Sequence, residues 1–217
     1  MGDVVGTGKQ VREGSADKRA AILAAARDLF AHRGVDAVSM DAVAAQAGVS
    51  KRTVYDYYGD KNRLFLAILS EASEALNASV QHALDEHLPT GGAITTVGEL
   101  EEALTALVVE LGRTLVGSAD HAAAFALVAQ RRWREPGSRD DVETASAERA
   151  LAERLAHFAD SGLLDTGDAR TAASHLAALT VLLAYNDQPD PATADPDRIR
   201  KIMTDGARAF IRAYATR

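Results

Sequence analysis

The chain has 217 residues, of which 47% are hydrophobic, so it is long enough to bury a core in one or two domains. It has no cysteine, so it can form neither disulfide bonds nor thiolate metal sites. It also has no apolar region typical of a secretion signal and no apolar run long enough to span a bilayer. These features predict a cytoplasmic protein without a membrane partner. The net charge is −7, but residues 1–64 hold ten Lys or Arg against eight Asp or Glu, and such a weakly basic segment argues against a protein that coats DNA non-specifically.

The chain begins with a polar stretch and a first helix. Residues 1–16 are rich in glycine and polar residues and lack periodicity, which predicts a disordered tail. From Asp17 to Arg33 apolar residues recur at helical spacing, and Gly34 follows directly. We therefore expect the folded part of the protein to begin at Asp17.

Two short helices are predicted next, on either side of a tight turn. Ser39 is placed to cap a helix over Met40 to Ala47, and Ser50 to cap one over Lys51 to Tyr58, because a serine hydroxyl accepts from a free amide of the first helical turn. Gly48 between them can adopt the positive φ that ends the first of these helices. This arrangement is typical of helix-turn-helix proteins that read a DNA groove.

The second short helix has two contrasting faces. Val54 and Tyr58 fall on one side at about 100° per residue and are predicted to be buried. The opposite side can contact phosphates and base edges and consists of Arg52, Thr53 and Asp56, flanked by Tyr55 and Tyr57. Arg52 is the best candidate for a base contact, because a guanidinium bonds O6 and N7 of guanine together. Asp56 either orients Arg52 as an i,i+4 pair or accepts from N4 of cytosine.

The stretch from residue 22 to 69 resembles the DNA-binding domain of TetR-family transcriptional regulators, including the Ala-Gly-Val-Ser turn and the Thr-x-Tyr-x-Tyr-Tyr helix that precedes Lys61. The resemblance implies a two-domain, all-helical homodimer that binds a palindromic or near-palindromic operator and is released from it by a small molecule in the C-terminal domain. It also implies DNA contacts, in addition to that of Arg52, by Ser39, Ser50, Lys51, Thr53, Tyr55, Tyr57 and Lys61. Many family members have glycine where this chain has Arg52, so its base preference should differ from theirs.

Six further helical patterns complete the chain, and no segment alternates like a β-strand. They run from Lys61 to His87, Glu99 to Val116, Ala119 to Arg134, Asp140 to Asp160, Asp168 to Asn186 and Asp197 to Thr216. The sequence therefore predicts an all-α protein of about nine helices. Residues 17–62 are expected to form a three-helix DNA-binding domain, and residues 63–217 a helical domain for effector binding and dimerisation.

The last two predicted helices are candidates for the contact between subunits. The first of them is apolar on nearly all sides from Leu176 to Tyr185, so it lies either at the centre of its own core or against another chain. Gly206 in the last helix permits a close approach. Periodicity alone leaves packing within the subunit equally open, whereas the family resemblance implies a four-helix dimer contact. The predicted interface residues are Leu176, Leu179, Leu183, Ile202, Gly206 and Phe210.

An apolar set in the middle of the second domain predicts a ligand cavity, although an ordinary core would use the same residues. The set is Leu107, Leu111, Phe125, Val128, Leu155, Phe158 and Leu179, with Arg113, Trp133, His157 and His175 as polar or aromatic groups. The segment from Phe125 through Arg131, Arg132, Trp133 and Pro136 to the helix after Gly162 also resembles the AefR-like C-terminal domain. That subtype is associated with efflux and lipid-like effectors.

The sequence lacks the common catalytic motifs and leaves two classes of function open. There is no Gly-x-Ser-x-Gly elbow, His-Glu-x-x-His motif or dinucleotide fingerprint, so no enzyme activity and no cofactor are predicted. His82 and His87 are five residues apart and fall on different helical faces, so no metal site is predicted. The favoured function is a ligand-responsive, operator-specific repressor that a small, largely apolar effector releases. The alternative is a helical small-molecule-binding or enzymatic protein whose N-terminal helices are only structural.

Overall fold

The computed structural model describes residues 7–117, 141–190 and 192–216. Within these ranges the chain forms eight helices and no β-strand, and Leu164 and Ala215 form an isolated antiparallel bridge. The prediction of an all-α fold is confirmed. No helix in these ranges is both long enough and apolar enough to cross a membrane.

The N-terminal part consists of three helices packed on the start of a fourth. These are α1 (Thr7–Arg33), α2 (Met40–Gln46), α3 (Lys51–Tyr58) and α4 (Lys61–His87). They share an apolar core whose most buried members include Ile22, Phe30, Val43, Val54, Leu64 and Ile68. Because α3 gives this core only two fully packed side chains, most of its surface is left to solvent.

The remaining helices enclose a second, larger core. They are α5 (Val97–Leu111, continuing through a π-helical turn, Gly112–Val116), α6 (Asp141–Asp160), α7 and α8 (Pro196–Tyr214). The helix α7 starts as Ala169–Ala177, passes through a π-helical turn, Ala178–Leu182, and ends as Leu183–Asp187. Fully buried side chains at the centre of this core include Leu84, Leu104, Leu107, Phe158, Leu176 and Phe210.

The helix α4 belongs to both cores. Leu64 and Ile68 near its start pack in the N-terminal core, and Val80 and Leu84 near its end pack in the second. Its 27 residues span about 40 Å at 1.5 Å per residue. It is therefore the element through which a movement in one part can reach the other.

Two glycines let α8 lie close to its neighbours. A Cβ added at Gly206 would lie 2.2 Å from the carbonyl oxygen of Leu179 in α7, and one added at Gly112 would lie 2.7 Å from Cε of Met203. Both contacts are within one chain. Gly206 thus serves the crossing of α8 over the π-helical turn of α7.

The first helix begins earlier than predicted, and one predicted helix is not among the described residues. The disordered tail predicted for residues 1–16 differs from the structure, because α1 already begins at Thr7. Residues 9–13 read Lys-Gln-Val-Arg-Glu, mostly strong helix formers, so the first helix extends back beyond Asp17. The helix predicted from Ala119 to Arg134 lies outside the described residues, and the other eight predicted helices each have a counterpart.

The predicted subunit interface is corrected in part by burial. Leu176, Gly206 and Phe210 are buried within their own chain, so they cannot contact a partner in this fold. Ile202 is only partly buried. Leu179 and Leu183 are 36% and 50% exposed. The apolar residues of α7 and α8 include both those buried in the chain's own core and those left exposed, and sequence spacing cannot distinguish the two groups.

Candidate nucleic-acid interface

Local hydrogen bonds fix the angle between α2 and α3. The hydroxyl oxygens of Ser39 and Ser50 each accept from the backbone amide three residues later, at 3.1 Å, and so cap α2 and α3 as predicted. Gly48 has a φ of 65°, and the amide of Val49 then donates to the carbonyl of Ala44 at 3.0 Å. Val49 packs against the N-terminal core. The turn is therefore held at both of its ends.

The inner side of α3 is as the sequence predicted. Val54 is fully buried and Tyr58 is 7% exposed, both in the N-terminal core. Burial raises the pKa of the Tyr58 phenol, which keeps it neutral at physiological pH. These two anchors decide which face of α3 is turned outward.

The outer side of α3 presents the residues predicted to meet DNA. The Arg52 side chain is 91% exposed, and its Nε lies 3.7 Å from the carboxylate of Asp56, which is the predicted i,i+4 arrangement. Tyr55 and Tyr57 are 42% and 37% exposed. Thr53 is half-buried at the base of this face, and its hydroxyl lies 2.8 Å from that of Ser50. An arginine, two tyrosines and a threonine thus share one accessible surface.

Lys51 connects α3 to α2. Its Nζ lies 2.7 Å from Oδ1 of Asp41 and 5.9 Å from the centre of the Tyr55 ring. The hydrogen bond to Asp41 and the negative charge of that carboxylate raise the pKa of Lys51 above its usual value. The ammonium is therefore charged and exposed, but a phosphate contact would have to share it with Asp41.

Lys61 has a different role from the predicted DNA contact. Its Nζ donates to the carbonyl oxygens of Val35, Asp36 and Val38 at 2.8, 3.1 and 3.1 Å. An ammonium has three N–H donors, and all three are used here. Lys61 thus closes the loop between α1 and α2, and this geometry does not support a phosphate contact.

Tyr57 joins α3 to the early part of α1. Its hydroxyl oxygen lies 2.6 Å from Oγ of Ser15, and it donates to the carbonyl of Ser15 at 3.2 Å. The ring edge is still accessible, so the predicted DNA contact of Tyr57 stays a prediction. What the bonds add is a fixed position for this ring.

An apolar cavity of about 160 Å³ lies within the second core. Its walls come from α4, α5, α6 and α7, and include the π-helical turn of α7. The lining residues are Leu76, Val80, Leu107, Val108, Leu111, Leu115, Ala147, Glu148, Leu151, Leu176, Ala177, Thr180, Val181 and Leu182. The buried Thr180 hydroxyl donates to the carbonyl of Leu176 at 2.6 Å, so it is already satisfied. An apolar cavity close to 150 Å³ is large enough to hold benzene.

Comparison with known proteins agrees with this geometry. Residues 22–68 match the model of the bacterial regulatory proteins of the tetR family. The whole fold is similar to the crystal structure of a TetR-family regulator from Mesorhizobium loti, with a TM-score of 0.74, 23% identity and coverage of 93% of this chain and 98% of the other. The match to the tetR family model is confined to residues 22–68, and the likeness to the Mesorhizobium loti regulator shows the fold of the chain. The matching family model describes bacterial regulatory proteins.

Two curated relatives match parts of the chain. The transcriptional activator FasR of Mycolicibacterium smegmatis is 38% identical over 68 residues, which is 31% of each chain. The transcriptional repressor TetR of Mycobacteroides abscessus is 32% identical over 124 residues, 55% of this chain and 62% of the other. The matched region thus covers less than two thirds of the length of each relative. The resemblance of the segment from Phe125 to the helix after Gly162 to the AefR-like domain stays a prediction, and its residues 125–136 lie outside the described residues.

The structure brings together only part of the predicted ligand site. Leu107 and Leu111 line the cavity, whereas Leu155 and Phe158 are buried in the core without reaching it. Phe125, Val128 and Trp133 lie outside the described residues. The proposed polar or aromatic groups that are described, Arg113, His157 and His175, do not line the cavity, and neither does Leu179.

The two predicted histidines have other contacts. Nδ1 of His175 lies 2.6 Å from the hydroxyl of Tyr214 at the end of α8. The ring of His157 packs edge-on against Phe158, with 5.3 Å between ring centres. The His175 contact joins α7 to α8, the His157 contact lies within α6, and neither side chain lines the cavity.

Several residues of these sites were missed by sequence reasoning. Leu76 and Val80 of α4 line the cavity, although the predicted ligand site included no residue of this helix. Asp41 and Ser15 position Lys51 and Tyr57. Only the opposite charges of Asp41 and Lys51 on the two sides of the turn could have suggested one of these contacts. The others depend on chain crossings that have no local pattern.

Proposed function

We propose that the protein is a ligand-responsive transcription regulator that binds operator DNA as a homodimer and acts as a repressor. In this proposal residues 17–62 form the DNA-binding domain, and residues 63–217 bind the effector and the partner subunit. The exposed face of α3 is the observation that carries the proposal. The longer of the two partial matches reported above, to a protein named a transcriptional repressor, supports repression.

Operator reading rests on Arg52. Its side chain is the most exposed on the α3 face and is directed by Asp56 without being enclosed by it. A guanidinium in a major groove bonds two acceptors of one guanine, and the loss of such a contact costs about 1–3 kcal/mol. Ser39, Ser50, Lys51, Thr53, Tyr55 and Tyr57 are proposed to position the helix on the phosphates.

The test is a gel-shift titration with the DNA that flanks the protein's own gene. Arg52→Ala should weaken specific binding by about 1–3 kcal/mol and relax the preference at one base pair. Arg200→Ala is a matched control, because Arg200 is also exposed and paired with an aspartate of its own helix, Asp197, at 3.1 Å. Unchanged affinity and base preference in Arg52→Ala, or an equal loss in Arg200→Ala, would reject the assignment.

Dimerisation is proposed to use the exposed leucines of α7. Leu179, Leu182 and Leu183 are 36%, 44% and 50% exposed and lie within five consecutive residues. Three exposed leucines at this spacing form an apolar patch that a partner would cover. Two helix-turn-helix units held by a two-fold contact can then read half-sites about 34–36 Å apart.

Sedimentation analysis tests this surface. Leu183→Lys should turn a dimer into a monomer at micromolar concentration and abolish operator binding in parallel. Ala106→Lys places the same charge at an exposed position of α5 and should leave both properties intact. A monomeric wild type, or a Leu183→Lys protein that stays dimeric, would contradict the proposal.

The effector is proposed to be a small, largely apolar molecule that fills the cavity. The cavity walls include Leu76 and Val80 of α4 and Leu182 of α7, so an occupant touches both the helix that carries the DNA-binding domain and the proposed dimer surface. A ligand shifts the equilibrium only if it binds the released state more tightly than the operator-bound state. By linkage, operator DNA must then weaken ligand binding by the same factor.

Calorimetric titration of a benzene-sized aromatic ligand, with and without operator, tests this coupling. Val108→Phe fills part of the cavity and should weaken ligand binding, whereas Val109→Phe changes the neighbouring valine that does not line it and should have a smaller effect. Equal ligand affinity with and without operator would reject the switch. If both variants lost the same ligand affinity, the ligand would have to bind at a site other than this cavity.

A further inference from the structure

Two histidines and two glutamates meet where the end of α4 packs on α5. His82 and Glu86 lie one turn apart on α4, with Nε2 of His82 3.5 Å from Oε2 of Glu86. Glu110 of α5 lies beside them, and one ligand atom from each of the three residues lies within 4.8 Å of the others. The fourth residue, His87, bonds Glu110 through Nε2 at 2.5 Å.

The spacing of histidines along the sequence concealed this cluster. His82 and His87 do fall on different faces of α4, and sequence analysis therefore predicted no metal site. Glu110 comes from another helix, and it contacts His87 while lying within reach of His82. The tertiary contact supplies the third ligand that the α4 pattern lacks.

We propose that His82, Glu86 and Glu110 bind a divalent transition-metal ion such as Zn²⁺, with His87 positioning Glu110. One imidazole and two carboxylates suit a borderline ion, since hard cations such as Mg²⁺ prefer ligand sets made of oxygen only. Two carboxylates also balance the charge of a divalent ion. Water would complete the coordination sphere, because three protein ligands leave a tetrahedral site open.

The cluster combines a fixed part with an adjustable part. The side chains of His87 and Glu110 are only 20% and 23% exposed and are bonded to each other, so Glu110 is held in place. The side chains of His82 and Glu86 are 74% and 55% exposed, so they can change rotamer. Ligand atoms around a tetrahedral Zn²⁺ with bonds of about 2.0–2.2 Å lie roughly 3.5 Å apart. A shift of roughly 1 Å by the exposed pair is enough to close the site.

The neighbouring acidic residue is occupied elsewhere. Asp85 precedes Glu86 directly, but its carboxylate accepts from Arg154 of α6 at 2.8 Å. Arg154 also donates to the carbonyl of Leu88. Asp85 is therefore engaged with α6, and the donor set is defined by one imidazole and two carboxylates. A bound ion would join the last turns of α4 to α5.

The experiment is a metal titration of the tag-free full chain after chelator treatment and dialysis. Co²⁺ is added first, and its visible d–d absorption reports one bound ion per chain; Zn²⁺ then displaces it. His82→Ala and Glu110→Gln should each weaken Zn²⁺ binding at least about tenfold. Mg²⁺ at the same concentration should not displace Co²⁺.

His32→Ala is the matched control. His32 and Asp28 form the same kind of i,i+4 pair on α1, at 3.1 Å and with side chains 77% and 54% exposed. Among the described residues, no third His, Cys, Asp or Glu groups with them. His82 is exposed, so its removal leaves the core intact, and far-UV circular dichroism of the metal-free variants checks this. Zn²⁺ should raise the thermal unfolding temperature of the wild type and of His32→Ala, but not that of His82→Ala. No Co²⁺ binding by the wild type, unchanged binding in His82→Ala, an equal loss in His32→Ala or displacement by Mg²⁺ would each overturn the proposal.

Discussion

Replacing Gly206 with alanine tests how closely α8 packs against α7. The added Cβ would lie 2.2 Å from the carbonyl oxygen of Leu179 and 2.7 Å from Cγ2 of Thr180. Cβ atoms hardly ever approach other heavy atoms closer than 3.0 Å, so the first distance would have to grow by about 0.8 Å, from 2.2 to 3.0 Å. The obstacle is backbone, which cannot turn aside as a flexible side chain can. The two helices must therefore move apart.

Two opposing effects set the magnitude. Overpacking a core costs about 1–3 kcal/mol, and a backbone obstacle places this case in the upper half of that range. Alanine in a helix interior is favoured over glycine by about 1 kcal/mol, which offsets part of the loss. We expect Gly206→Ala to lower the free energy of unfolding by about 1–2 kcal/mol.

Urea unfolding followed by circular dichroism measures this change, at one fixed protein concentration because a dimer's stability depends on concentration. Gly98→Ala in the first turn of α5 is the control, since a Cβ there meets no atom within 4 Å. That variant should be more stable than the wild type by up to about 1 kcal/mol. The reasoning is refuted if Gly206→Ala is as stable as the wild type, or if both variants change stability by the same amount.

Three further predictions concern single interactions. Ser50→Ala should lower stability by about 1 kcal/mol through loss of the α3 cap, and urea unfolding of the variant should show it; an unchanged midpoint would contradict the role of the cap. Lys61→Met should lower the free energy of unfolding by about 1.5–3 kcal/mol, because three backbone carbonyls lose their donor. A variant that keeps its stability but loses DNA affinity would instead support the prediction that Lys61 contacts DNA. Hydrogen bonds from Arg198 and Gln188 hold the pKa of Asp187 well below its usual value, so the stability that this carboxylate provides is present above about pH 4 and is lost as the pH falls further. Asp187→Asn should therefore make the fall in stability from about pH 5 to pH 2 less steep, and an unchanged slope would count against the link between Asp187 and Arg198.

The elements that could be predicted from the sequence are those with local signals. The bounds of α3 and α4 agree with the prediction, because Ser50, the positive-φ Gly59 and Asp60 mark them within a few residues. The exposed side of α3 followed from two buried anchors, Val54 and Tyr58, and helical geometry alone. Both kinds of inference depend only on residues less than one or two turns apart.

Predictions that depend on which helix meets which were less successful. Leu176 and Leu183 belong to one apolar helix, yet the first is fully buried and the second is half exposed. Neither residue type nor spacing distinguishes the two leucines, because α8 covers one side of α7 and so determines which of them is buried. The approach of α8 in turn needs the absence of a side chain at Gly206. The π-helical turns, which shift the register of α5 and α7, also have no simple sequence pattern.

The same limit applies to polar groups. Lys61 matched a family position for DNA contact, but three carbonyls of the loop between α1 and α2 surround its ammonium. His82 and Glu110 are 28 positions apart and become neighbours only when α4 and α5 pack. A charged side chain's role is set by the partners that the fold supplies, and those partners are distant in sequence.

The proposed switch requires only a small movement of α4. From Val80 at the cavity to Lys61 at the start of the helix the rise is roughly 29 Å, so a tilt of 5° would displace the DNA-binding domain by roughly 2.5 Å. Arg27 of α1 donates to Glu71 of α4 at 2.7 Å, so the domain should move with the helix as one body. In a two-fold dimer the two displacements are opposed and sum to roughly 5 Å, more than the 3.4 Å rise of one base pair.

This estimate can be checked by measuring one distance in solution. The chain has no cysteine, so Ala45→Cys on the exposed side of α2 gives a single spin-label position per subunit. Pulsed electron paramagnetic resonance should show the label-to-label distance changing by roughly 5 Å when a ligand that releases operator DNA is added. If the distance distribution stays the same while operator affinity falls, the effector acts without tilting α4, and the proposed coupling of the cavity to α3 through α4 is rejected.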